Sequence, residues 1–152
     1  MSQNITSILN DLIETSKDGQ EGFRAAAEDS KNAELQTVFL RRAGDCASGA
    51  AELQQLVTRR GDEPEDSGTV AGAVHRGWVN LKAAISSRTD LAILEECERG
   101  EDVAKASYSK ALRDTLPEDI RIVVQRQYEG VLRNHDQIRN LRDRYRVTQS
   151  SV

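Results

Sequence analysis

Four side chains able to bind a metal or carry redox chemistry, Cys46, Cys97, Glu101 and His135, fall on or beside the apolar stripes of amphipathic segments. At ~100° per residue each helical segment has a definable inward direction. Arg42 and Cys46 share one such stripe. Leu91, Leu94, Cys97, Glu101, Ala104, Tyr108 and Leu112 form a second. Ile120, Val124, Gln127, Val131, Ile138 and Leu141 form a third, with Asn134 and His135 on its two flanks. With the helices laid side by side, Cys97 comes level with His135, Glu101 with Val131 and Cys46, and Arg42 with Cys97. Arg42, Cys46, Cys97, Glu101, Gln127 and His135 are therefore expected in one mid-height layer. Two thiolates, an imidazole and a carboxylate suit zinc or another borderline transition metal. The same residues also fit a plainer arrangement. The cysteines then act as small apolar fillers. Glu101 pairs with Arg42 or with a Tyr or Gln side chain in a buried polar network, and His135 bonds a carboxylate or carbonyl at the edge. In both arrangements Glu101 needs a partner, because an unpaired buried carboxylate is costly.

The elements that must position these residues read as helices throughout. Pro64 and Pro117 are the only prolines in 152 residues. Good helix formers fill the stretches between them, and no useful period-two segment occurs. The spacing predicts a first helix over Asn4–Asp29, with Ser16 and Gly19 inward and Glu14, Asp18, Glu21 and Glu28 on a solvated face. Asn32 is a natural N-cap for a second helix over Ala33–Arg60, which Gly61 ends. A polar loop over Asp62–Gly68 leads to a short amphipathic helix over Thr69–Ser86. A third long helix covers Thr89–Asp114. A fourth starts at Pro117, with Glu118 and Asp119 at its positive end, and continues to about Tyr145. One domain over residues 1–146 and a frayed tail over 147–152 are expected. Tight turns within each long pair, and a loop plus helix between the pairs, predict an all-α four-helix bundle with one long crossover. Trp78 is expected to plug that crossover onto the bundle.

The chain resembles an uncharacterised bacterial ferritin-like four-helix-bundle family, a domain of unknown function. Asp18-Gly19-x-x-Gly22-Phe23, the run from Pro64 to Gly72 continuing into Arg76-Gly77-Trp78, Glu95 through Asp102, Gln127-Tyr128 and His135-Asp136 carry the resemblance. It extends from about Ile5 to Arg144. The resemblance implies the ferritin-like crossover topology and no established activity.

A di-iron centre on such a fold requires a Glu-x-x-His on each of two helices. The chain has only His75 and His135, and the residues three before them are Gly72 and Leu132. A standard ferroxidase centre is therefore not expected. The glycines between Ser67 and Gly72 lack the Gly-Lys-Ser/Thr ending of a phosphate loop, and no serine nucleophile is arranged with a histidine and an aspartate. Net charge −4 and pI ≈ 5.3 disfavour nucleic acid and anionic membrane as primary partners. No run of ~18 apolar residues is present, and Met1-Ser2-Gln3-Asn4 does not open a secretory signal. Two cysteines make no disulfide framework, so a reduced cytoplasmic setting is expected. Arg133, Arg139, Arg142, Arg144 and Arg146 crowd the end of the last helix. They form either a solvated mixed face, interleaved with Asp136 and Asp143, or a docking patch for an acidic partner or a second copy. The outward acids of the first helix would be the complement in a homodimer. The expected function is a non-catalytic binding or stress-associated module without a cofactor. The alternative is a metal-binding or redox bundle using Cys46, Cys97, Glu101 and His135 around a transition metal ion.

Overall fold

A computed structural model describes residues 4–65, Trp78 and 89–150. Four helices account for nearly all of them: α1 (Ile5–Asp29), α2 (Ala33–Arg59), α3 (Asp90–Arg113) and α4 (Glu118–Ser150). Their ends follow from local chemistry. The Asn4 side chain accepts from the N–H groups of Thr6 and Ser7, and the Asn32 side chain accepts from those of Glu34 and Leu35. The Thr89 hydroxyl accepts from the Ala92 N–H at 3.3 Å. Each side chain takes up N–H groups that have no partner within the helix. Gly61, at φ 82°, takes the left-handed turn that ends α2. The last helix does not stop near Tyr145 as expected but runs on to Ser150. Arg144 and Arg146 pin this end to Glu34 of α2 and Glu95 of α3.

The hairpins α1–α2 and α3–α4 are antiparallel, and α1 lies against α3 while α2 packs more sparsely against α4. Ser16 meets Tyr108 in one half, and Ser30 meets Asp90 at 3.1 Å at the end, so α1 and α3 run in opposite directions. Glu34–Arg144, Arg41–Gln137 and Glu52–Arg126 set α2 and α4 antiparallel as well. The C-terminal end of α2 and the N-terminal start of α3 therefore lie at opposite ends of the bundle, and the chain between them must travel its full length. Its beginning is tied to the start of α1: Asn10 Oδ1 accepts from the Glu65 N–H at 3.0 Å, and Thr6 donates to Asp62. This is the expected four-helix bundle with one long crossover. The short helix expected over Thr69–Ser86, with Gly72, His75 and Gly77, lies outside the described residues.

Trp78 shows how the crossover is held. It is buried, edge-on to Phe23 with ring centroids 5.2 Å apart. Its indole fills a slot between Gly22 of α1 and Gly100 of α3. A Cβ at Gly22 would lie 2.7 Å from the ring, and one at Gly100 would overlap its other edge. The same flank explains a correction. Asp18, expected on the solvated face, is only 6% exposed. It lies one turn from Gly22, where the Trp78 ring packs against α1. Glu21 and Glu28 are exposed as expected.

The core divides in two. Phe23, Leu35, Phe39, Leu94 and Ile138 pack around Trp78 in one half. Leu9, Leu12, Leu53, Val57, Ile120 and Val124 pack in the other. Polar side chains occupy the layer between them.

Candidate functional site: a polar cleft between α2 and α4

The middle layer is built from residues that the helical period turns inward but that carry charge or hydrogen-bonding groups. Arg42 of α2 reaches across the bundle to Glu101 of α3, Nε to Oε1 at 3.0 Å and Nη2 to Oε2 at 3.4 Å. Both side chains are buried. Burial opposes the Arg42 charge, and the Glu101 carboxylate, by its charge and its hydrogen bond, holds the guanidinium protonated. Beside the pair, Tyr108 donates from its hydroxyl to Gln127 Oε1 at 2.7 Å and lies 3.4 Å from Ser16 Oγ. Gln127 in turn donates from Nε2 to Glu52 Oε1 at 2.8 Å and to the Gly49 carbonyl at 3.3 Å. Burial pushes the Tyr108 hydroxyl up to about 12, so it remains a neutral donor.

Above this network α2 and α4 stand apart, leaving a cavity of about 960 Å³ that opens between them. This volume lies in the range of metabolite-sized pockets. The lining includes small residues on both helices, Ser48 and Gly49 on α2 and Gly130 on α4. A glycine inside a helix costs about 1 kcal/mol relative to alanine. Gly49 and Gly130 were the sequence signal for this opening, and the inward-stripe reading passed over them. It also left Asn134 on a flank. Asn134 is buried, lines the cavity, and its Nδ2 has no hydrogen-bond partner.

The six residues expected in one layer resolve into separate pairs. Arg42 and Glu101 join directly, although their expected levels differed by about one turn, because the long arginine side chain spans the offset. Gln127 binds Tyr108 and Glu52. His135 turns away to Asp102, Nε2 to Oδ1 at 2.6 Å, with Asp136 3.6 Å from Nδ1. It is thus an edge residue held by carboxylates and does not converge with Cys97 and Glu101. Both cysteines are buried and unpaired. Burial pushes the Cys46 thiol up to about 12 and the Cys97 thiol well above its usual range, the opposite of what a reactive thiolate needs. Among the described residues no group of three or more His, Cys, Asp and Glu side chains is placed to hold a metal ion.

The arginines at the end of α4 are also engaged within the chain. Arg142 pairs with Glu98, Arg144 with Glu34, Arg146 with Glu95, and Arg139 with Asp136 at 3.4 Å. This corresponds to the mixed-face reading of the basic stretch. Glu96 was missed altogether. It is 1% exposed on the flank of α3 that carries Gly100; Arg99 binds its Oε2 at 2.7 Å, and its Oε1 has no hydrogen-bond partner.

With the bundle and its cleft in place, the chain can be compared with known families. Residues 4–114 fit the family model described as Domain of unknown function (DUF2383). The chain belongs to this family. The DUF2383 match takes in α1, α2, the crossover and α3, so Arg42, Cys46, Glu101 and the Trp78 slot lie within it. The α4 wall of the cleft, with Gln127, Arg133 and Asn134, lies beyond it. No curated protein matches the chain. Among the described residues no helix is long and apolar enough to cross a membrane.

Proposed function

We propose that this DUF2383 chain is a non-catalytic, ferritin-like binding module of the cytoplasm, whose α2–α4 cleft receives a small polar molecule. One observation carries this reading. A cavity of about 960 Å³ opens at the level where the apolar core is interrupted by Arg42, Glu101, Tyr108 and Gln127. A bundle selected for stability alone would close this gap with apolar side chains, because empty volume costs stability. The buried groups around it are pre-positioned by one another, as a binding site requires. Burial keeps both thiols neutral, and among the described residues no activated nucleophile faces the cavity. Two buried free cysteines fit a reducing compartment.

The test is a thermal-shift and native mass-spectrometry screen of the purified full chain against polar metabolites. Gly49→Leu serves as the blocked control. A Cβ at Gly49 meets Gln127 at an ordinary 3.6 Å, so the added side chain starts without a clash, and a wild-type circular dichroism spectrum is required of the variant before it serves as the control. A ligand that raises the wild-type melting temperature and leaves Gly49→Leu unmoved supports the reading. If every class of small molecule leaves both proteins alike, the cleft is not a binding site.

A further inference from the structure

The charges around the cleft specify what it takes. The cavity is lined by Arg41, Arg42, Arg126 and Arg133 against Asp45, Glu52 and Glu101, a local excess of one positive charge in a protein of net charge −4. Two of these arginines are neutralised where they stand, Arg42 by Glu101 and Arg126 by Glu52. Arg41 gives an Nη2 hydrogen bond to the neutral Gln137 at 2.8 Å.

The decisive level lies between two closed rungs. Arg41–Gln137 and Glu52–Arg126 join α2 to α4 above and below the mouth. The antiparallel register between those rungs brings Asp45 and Arg133 to the same height. Both line the cavity, yet no ion pair joins them, whereas pairs close at the Glu34–Arg144 and Glu52–Arg126 levels. On the inner side of the same turn of α4, Asn134 holds an Nδ2 donor without a hydrogen-bond partner, on a side chain only 8% exposed. A buried donor of this kind costs stability unless something accepts from it.

Resting on the cleft reading above, we propose that the ligand is a metabolite-sized oxyanion, a carboxylate or phosphate ester. Its anionic group is taken by Arg133 and Arg41 at the mouth, and an acceptor on its body reaches the Asn134 amide. A guanidinium donates and cannot accept, which is the recognition chemistry of an oxyanion. Asp45 works against it and sets a modest affinity. The cavity is far larger than a bare anion, so the body of the molecule contributes to the fit.

The sole tryptophan lines the same cavity, so binding can be followed by intrinsic fluorescence of the full chain at constant ionic strength. The probes are citrate, glucose 6-phosphate, inorganic phosphate, uncharged glucose and the dication putrescine. Saturable fluorescence changes are expected with citrate or glucose 6-phosphate, with inorganic phosphate weaker and glucose and putrescine inert. The stronger of the first two decides between a carboxylate and a phosphate ester. Arg133→Gln is expected to weaken binding about tenfold, the worth of one charge-assisted contact. Asp45→Asn is expected to tighten binding several-fold, a gain that loss of structural integrity cannot produce. Saturable binding of glucose or putrescine alone, lost in Gly49→Leu, would leave the cleft reading standing and overturn the oxyanion. Oxyanion binding unchanged in both Arg133→Gln and Asp45→Asn would overturn it too. No response to any probe, here or in the wider screen, brings down both.

Discussion

Arg42 and Glu101 join across the diagonal of the bundle, Nε to Oε1 at 3.0 Å, on two helices that are not packing neighbours. The pair holds the centre of the fold together where apolar packing is interrupted. It also floors the cleft, so its charges are shielded from solvent on one side and face the cavity on the other.

Removing one partner strands the other. Glu101→Ala is expected to destabilise the fold by about 3–5 kcal/mol, because a buried guanidinium then has no counter-charge. Arg42→Met combined with Glu101→Leu should recover most of that loss, since the desolvation cost disappears with the charges. Chemical denaturation of the two variants beside wild type measures this. A single Glu101→Ala variant as stable as wild type would show that the pair is not buried.

The Trp78 slot predicts a steric outcome. Gly22→Ala or Gly100→Ala places a methyl group inside the van der Waals envelope of the indole. Each should cost about 1–3 kcal/mol through overpacking and shift tryptophan emission to the red as the ring is displaced. Gly44→Ala, with nothing within 4 Å of its added Cβ, should instead leave emission unchanged and raise stability slightly through helix propensity.

Thiol accessibility should be all or none. Cys46 and Cys97 are 6% and 0% exposed, and burial raises both thiols above their ordinary range. In native protein at pH 8 neither should react with a thiol reagent on the minute timescale. Both should react once the chain is unfolded. Stoichiometric labelling of the native protein would place at least one thiol at the surface.

Acid should act in part through Glu52. Burial would raise its carboxyl, but hydrogen bonds from Arg126 and Gln127 outweigh that and hold it below the ordinary 4.5. A carboxyl lowered in the folded state contributes stability above its unfolded value and loses it as pH falls through the folded one. Glu52→Gln is therefore expected to lower stability at neutral pH and to flatten the stability profile below about pH 5, so that the variant and wild type converge in acid. Urea midpoints between pH 7 and pH 3 read this directly. Unchanged acid-limb slopes would show that Glu52 is not coupled to folding.

The helices, the Asn32 and Gly61 caps, the two hairpins and the long crossover were legible in the chain itself. Asparagine before a helix, glycine after one and an unbroken 3.6-residue stripe are local signals, and each acts within a few residues of where it is read. The inward direction of Arg42, Cys46, Cys97 and Glu101 was legible for the same reason. Which of those groups meet was decided by tertiary structure alone. Helix phase gives the face a side chain occupies, but not the spacing between helices or the reach of a long side chain. Arg42 could therefore cross a turn's offset to Glu101, and His135, level with the layer, could turn outward to Asp102. Asp18 and Glu96 lie one turn from Gly22 and Gly100, where Trp78 packs between α1 and α3, a contact between segments far apart in sequence. The cleft is likewise a property of the assembled bundle: Gly49 and Gly130 are unremarked gaps on separate helices until antiparallel packing sets them across from one another.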